Sequence, residues 1–241
     1  MDIQTNKQKA IDYFVKELLK TEARNSIARV LLFGSLLKGE ATERSDIDLL
    51  VITTDSFKEI SDASADASFE TALVTGESVE PIIRCIDEAR YPRSYFMYSV
   101  LKRGREVYHM DEQELKIKEA QNYLYLSSEY LEGAKFNSEK SHFRIAVDTG
   151  YNACELAIKG LLLLTLPDIS GPHGGIVKKF GELFVKSGEV PKELGRQINL
   201  ALEKRNNARY EPHAQITKEH AEEIIDLGER LQKVLEKKLE A

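Results

Sequence analysis

Near Glu112 the spacing of apolar residues changes character, and that one change limits what this chain can fold into. Before it, short apolar runs alternate with helix-like segments. After it, strand signals vanish, and the periodic stretches repeat at three and four residues. Val30-Leu31-Leu32-Phe33, ending at Gly34, and the stretch from Asp48 to Ile52 are runs of the kind that buried strands carry. Val79 to Ile86 reads as a third strand, at an edge or bulge because Pro81 lacks a backbone N–H, and Gly104 to Tyr108 as a short closing strand. Helices are expected over Lys7–Leu19, Phe57–Leu73 and Ser94–Lys102. The predicted architecture is α+β: a small mixed-sheet domain over residues 1–110, then an all-α bundle of about five helices over residues 111–241.

In the second part, Leu115, Tyr123, Leu126, Tyr130, Leu131 and Ala134 mark one long amphipathic helix. Val147, Gly150, Cys154, Ala157, Leu161 and Leu164 mark a core-facing seam, whose small residues let a neighbouring helix come close. Pro167-Asp168 and Gly171-Pro172 predict a turn. Helices follow over Gly174–Lys186 and Pro191–Tyr210, the second ended by Pro212. Thr217 is placed to cap the last helix.

The 241 residues hold 34 lysines and arginines against 40 acidic residues, a net charge of −6. Up to Met110 there are 15 basic and 18 acidic residues, and beyond it 19 and 22, so each part carries −3. Tight nonspecific polynucleotide binding is therefore not the default, although a local basic patch stays open. The apolar run Leu161–Leu164, then Leu166, is far short of the ~20 residues of a membrane span. The N-terminus lacks the apolar core of a signal peptide. Cys85 and Cys154 lie far apart in apolar surroundings and are expected to be buried free thiols. A soluble cytoplasmic protein, not tied to a membrane, is expected.

The chemically informative stretch is Phe33-Gly34-Ser35, then Gly39, then Ser45-Asp46-Ile47-Asp48. A strand-to-helix corner at Gly-Ser can hold a phosphate oxygen through backbone N–H groups. Asp46 and Asp48, two apart on a strand, would point to one face. Paired carboxylates repel unless a cation lies between them, and hard oxygen ligands suit Mg²⁺ or Mn²⁺ rather than Zn²⁺. Two such ions, about 3.5–4 Å apart, can activate an attacking oxygen and stabilise a departing pyrophosphate. The plainer reading makes Asp46 a turn cap and Asp48 a solvated strand start.

Together, Gly34-Ser35, Gly39 and Ser45-Asp46-Ile47-Asp48-Leu49 resemble the signature of the DNA-polymerase-β-like nucleotidyltransferases, in the minimal branch near the kanamycin nucleotidyltransferase type. The resemblance spans about residues 8–110. It implies that Gly34 and Ser35 bind the triphosphate of an NTP, with ATP favoured, and that Asp46 and Asp48 hold Mg²⁺ or Mn²⁺. It implies a third carboxylate from a later strand; Glu80 suits that place as ligand or base, and Glu77 competes with it. Lys38, Arg44 and Ser45 lie near the expected phosphates. The implied reaction moves an NMP, AMP from ATP, to an acceptor hydroxyl.

Arg144 to Asp148, leading into Tyr151 to Lys159, and later Lys204 to Tyr210, resemble the HEPN domain (higher eukaryote and prokaryote nucleotide-binding) over about residues 112–238. This implies a helical domain forming part of the acceptor cleft and a homodimer interface. Some HEPN domains are metal-independent ribonucleases with about four to six residues between Arg and His, the cation serving the phosphate and His the proton transfers. Arg205, Arg209, Tyr210 and His213 are the candidates here, at a different spacing: seven residues separate Arg205 from His213, and three separate Arg209 from it. Arg205 could instead pair with Glu155 or Asp148, and Tyr210 could be core or a modification target. The alternative function is thus a HEPN ribonuclease, toxin-like, restrained by a fused antitoxin-like nucleotidyltransferase domain. A third is an idle nucleotide-binding scaffold. The acceptor stays open among a protein tyrosine, an RNA end and a small polyol.

Overall fold

The structure, a computed structural model, describes residues 3–55, 57–166, 169 and 173–240. The turn expected at Pro167-Asp168 and Gly171-Pro172 lies outside them. The chain divides into two compact units, Met1–Leu115 and Lys116–Ala241.

The first unit is built on a four-stranded mixed sheet in the order β3-β2-β1-β4, from β1 (Ile27–Phe33), β2 (Ile47–Thr53), β3 (Val79–Cys85) and β4 (Arg105–His109). β1 is antiparallel to β2 and β4, whereas β2 and β3 are parallel, joined through the long helix α3 (Phe57–Thr75). Their near-continuous apolar sequences follow from burial on both faces of the central strands. α1 (Ile3–Leu18) and α3 cover one face, setting Phe14, Leu18 and Ile60 against Val30, Leu49 and Val51. On the other, Leu31, Leu50 and Ile52 lie with Met97 and Val100 of α5 (Tyr95–Arg103), which follows the short α4 (Ile86–Arg90). β3 is an edge strand, as Pro81 requires. Ile86, expected to close that strand, instead opens α4.

β1 turns directly into the one-turn helix α2 (Gly34–Lys38), and Gly39 ends it in the left-handed conformation with φ of 74°. β2 begins at Ile47, so Asp46 lies one residue before the strand rather than on it.

The second unit is helical: α6 (Glu112–Glu139), α7 (Phe143–Leu163), α8 (His173–Phe180) running into a π-turn, α9 (Lys192–Tyr210) and α10 (Lys218–Leu239). α7 is the central element, with Val147, Tyr151, Cys154, Ala157, Ile158 and Leu161 fully buried. Its small residues bring α10 close, as their spacing predicts: a Cβ on Gly150 would sit 2.9 Å from Ile224 Cγ2. Thr217 caps α10 by accepting from the His220 backbone, and His220 Nδ1 accepts from the Thr217 backbone in return. On α6 the predicted stripe is only half realised. Leu131 and Ala134 are buried, whereas Leu126 and Tyr130 reach solvent. Both cysteines are free; Cys154 is buried, but Cys85, expected to be buried, is partly exposed at the end of the edge strand.

Candidate active site

The carboxylates of the first unit meet at the end of the sheet where β1 stops and β2 starts. Register does the positioning. Phe33 lies opposite Asp48 across the antiparallel pair, and Asp48 lies beside Glu80 across the parallel pair. Side chains in register share a face, so Asp48 and Glu80 project from one side of the sheet, about 4.8 Å apart at the backbone. The chain turns at Gly34 with φ of 78°, which L side chains rarely adopt. The turn folds backbone against the Asp48 carboxylate so closely that a Cβ on Gly34 would lie 1.8 Å from Asp48 Oδ2. Gly34 is therefore required twice, by its dihedral and by the oxygen over its α-carbon. Ser35 follows at the start of α2, and Lys38 at its end is exposed.

Among the described residues, no cation or hydrogen-bond donor is paired with Asp46 or Asp48. Burial first, and the nearby Asp46 carboxylate second, push the Asp48 carboxyl above the usual carboxylate range. Two adjacent acids, one part-buried and neither neutralised, form an oxygen donor set suited to a hard divalent cation. Among the described residues no three His, Cys, Asp or Glu side chains converge into a complete metal cluster. Glu80, exposed on the edge strand, stands beside the aspartate pair in register rather than closing over it.

The segment before Asp46 is held from an unexpected direction. Lys7, on the inner face of α1, is 0% exposed and donates at 2.6 Å to the Ser45 carbonyl and at 2.6 Å to Glu77 Oε2. Glu77, the competitor for the third carboxylate, is thereby committed to an ion pair. Ser45 Oγ accepts from the Thr42 backbone N–H at 2.9 Å and lies 3.1 Å from Thr42 Oγ1, so the candidate hydroxyl is engaged within its own turn, and Arg44 is exposed. A lysine within a helical stripe reads from sequence as a solvated side chain, so nothing pointed to Lys7.

In the second unit, Arg205 is buried on α9 and faces Asp148 of α7, Nε to Oδ1 at 3.2 Å, with Arg209 on the same oxygen at 3.6 Å. The Arg205 guanidinium also lies over the rings of Tyr151 and Tyr210, 5.8 and 5.7 Å from their centroids. Of the two partners expected for Arg205, Asp148 is the one present. Tyr210 is 63% exposed and so is not core. His213 sits exposed in the turn after α9, with no side-chain partner among the described residues. Arg144 fixes that turn: its guanidinium donates to the carbonyls of Asn207, Ala208, Glu211, Pro212 and Ala214.

Residues 15–113 match the family described as polymerase beta, nucleotidyltransferase, and residues 120–238 match the HEPN domain. A Methanocaldococcus jannaschii protein provisionally named a protein adenylyltransferase, MJ0604, is 32% identical over 106 residues, covering 43% of this chain and 99% of that protein. The chain is a polymerase-β-type nucleotidyltransferase joined to a HEPN domain. A second M. jannaschii relative, MJ0142, provisionally named a toxin, is 36% identical over 39% of this chain and 61% of its own length. Among solved structures, spectinomycin adenyltransferase AAD(9) of Enterococcus faecialis, crystallised with ATP and spectinomycin, overlaps 93% of this chain and 98% of its own. Its TM-score of 0.31 and 16% identity carry no inference for this nucleotidyltransferase–HEPN chain. Among the described residues no helix is long and apolar enough to cross a membrane.

Proposed function

We propose that this nucleotidyltransferase moves an NMP, AMP from ATP, onto an acceptor hydroxyl in a reaction that depends on Mg²⁺ or Mn²⁺. The observation that carries the reading is the Asp48 carboxylate packed against the Gly34 corner with the Asp46 carboxylate nearby, neither of them paired among the described residues. Asp46 and Asp48 would hold the metal, with Glu80 beside them as third ligand or as the base that receives the hydroxyl proton. A bound divalent ion would supply Lewis-acid neutralisation of the triphosphate. Gly34 and Ser35 offer backbone N–H groups to the departing pyrophosphate, and Lys38 adds a nearby exposed charge. Most of the rate enhancement would come from positioning and charge neutralisation, as in phosphoryl transfer generally.

MJ0604's provisional name supports adenylyl transfer as the donor chemistry. Tyr125, Leu126, Tyr130 and Phe136, exposed along α6, support a homodimer formed through the helical domain. The alternative, a restrained ribonuclease, draws on the provisional name of MJ0142 but finds little in the geometry, because Arg205 is neutralised by Asp148 and His213 stands apart in its turn. Incubation with α-labelled ATP and Mg²⁺ tests the main reading. Label should appear on an acceptor with the wild type and be lost in Asp46→Ala/Asp48→Ala. Metal-dependent nucleotide binding that survives unchanged in that variant would overturn it.

A further inference from the structure

Lys7 stands where the inner face of α1 calls for an apolar side chain. The buried positions of that helix are Lys7, Ala10, Ile11, Phe14 and Leu18, spaced at three and four residues, and Lys7 is 0% exposed among them. Taking an ammonium out of water is costly, and a buried ion pair is often no more stabilising than an apolar side chain of similar volume. Stability alone therefore gives no reason for a lysine here. What the ammonium contributes is direction, through its two acceptors, the Ser45 carbonyl and Glu77 Oε2.

Those acceptors occupy matching places in the sheet. β2 and β3 run parallel, with Ile47 beside Val79 and Asp48 beside Glu80. The same offset carried two residues back sets Ser45 beside Glu77, just ahead of the point where both strands begin. The Ile47 N–H donates across the pair to the Ser78 carbonyl at 2.9 Å. One step further back, Lys7 spans the gap with its side chain. Asp46 lies between these two ties. The Ser45 carbonyl belongs to the peptide unit before Asp46, and the Ile47 N–H to the one after it, so both planes that flank the aspartate are anchored. Ahead of Ser45 the chain runs through Thr42, Glu43 and Arg44, all exposed, so the Lys7 bond is where that loop is fastened to the interior.

We propose that Lys7 is a positioning residue for the metal ligands: its ammonium carries the β2–β3 register one rung past the strands and so holds Asp46 beside Asp48. This rests on the nucleotidyltransferase reading above. Lys7, a cation, cannot itself bind the metal; it acts through the Ser45–Asp46 peptide. The helix that covers the sheet thereby sets the spacing of the two carboxylates.

The test reads Mn²⁺ binding to the full chain by water-proton relaxation, with Mn²⁺ alone as the probe, and urea unfolding of the same samples. Wild type should bind, and Asp46→Ala/Asp48→Ala should not. Lys7→Met should bind about tenfold more weakly, the loss typical when an outer support of a metal ligand is removed. Glu77→Gln keeps the ammonium and an amide oxygen for it to bond, so it should lose stability yet keep the wild-type affinity. Lys7→Met/Glu77→Gln leaves no buried charge unpaired. It should regain stability relative to Lys7→Met while binding as weakly, and it serves in place of Lys7→Met if that variant does not fold. Affinity would then follow the presence of Lys7, and stability would not. Wild-type affinity in either folded variant that lacks Lys7 would overturn the proposal. So would affinities that rank with the unfolding midpoints, since that pattern belongs to a general loosening of the unit. Failure of the wild type to bind Mn²⁺, or binding indifferent to Asp46 and Asp48, would refute the nucleotidyltransferase reading and the positioning role with it.

Discussion

At Gly34 a single hydrogen in place of a methyl group decides whether the corner can exist. Alanine there would need φ of 78° and would drive its Cβ into Asp48 Oδ2. Gly34→Ala is expected to cost about 1–3 kcal/mol in denaturant unfolding, and to lower transfer activity by on the order of 100-fold because the carboxylate moves. Asp48 makes a separable prediction. Its raised pKa means that the folded state disfavours its ionised form. Below about pH 4, where aspartate is protonated in both states, Asp48 imposes no penalty. As pH rises through its folded value, stability is lost. In chelator, Asp48→Asn should therefore melt higher than wild type at pH 7 and lose that advantage at pH 3.5, while being inactive at both. An advantage over wild type no larger at pH 7 than at pH 3.5 would contradict this. That Gly34 and Asp48 would meet was legible in sequence, because a strand ending in glycine and a neighbouring strand starting with an acid leave few ways to arrange them. Whether Glu80 or Glu77 stood free was not legible, because that depends on a lysine 70 residues before Glu77.

At the scale of elements, α1 does more than cover the sheet. Through Lys7 it fastens the approach to β2 and the approach to β3 at one buried point, bridging the Ser45 carbonyl and Glu77. Lys7→Met would leave Glu77 short of its partner, and breaking a buried pair costs about 3–5 kcal/mol. Because Glu77 is partly exposed, a loss toward the low end of that range is expected. Adding Glu77→Gln should restore part of it, so a double-mutant cycle in denaturant should show strong coupling; additive losses would mean that the two residues act independently. The order of strands and helices was readable because apolar runs and helical stripes alternate with glycine and proline breaks. The edge position of β3 was readable from Pro81. What failed was local. Asp46 falls just outside β2, and Leu126 and Tyr130 reach solvent because α6 has fewer neighbours over that face than its apolar periodicity implies.

On the scale of the whole molecule, the even split of charge between the two parts concealed a strong unevenness within one of them. Totals of −3 and −3 hide an acid-free segment from Ala89 to Arg105 that carries five cations. In the helical unit the Arg144 guanidinium bonds the carbonyls of the turn after α9, and Arg205 of α9 separately faces Asp148 of α7. HEPN identity was visible in the residues around Arg144, Tyr151 and Arg205, but the choice of Asp148 rather than Glu155 as the partner of Arg205 needed α7 and α9 to be placed side by side.

The chain also carries one thiol in each unit, and the two differ in environment. Cys85 lies at a partly open strand end, whereas burial around Cys154 suppresses the thiolate that any electrophile must meet. Under native conditions, maleimide should label Cys85 within minutes and Cys154 only when the bundle opens. The lag between the two mass increments would then time the opening of the helical half without any added probe, and simultaneous labelling would show that the bundle breathes freely.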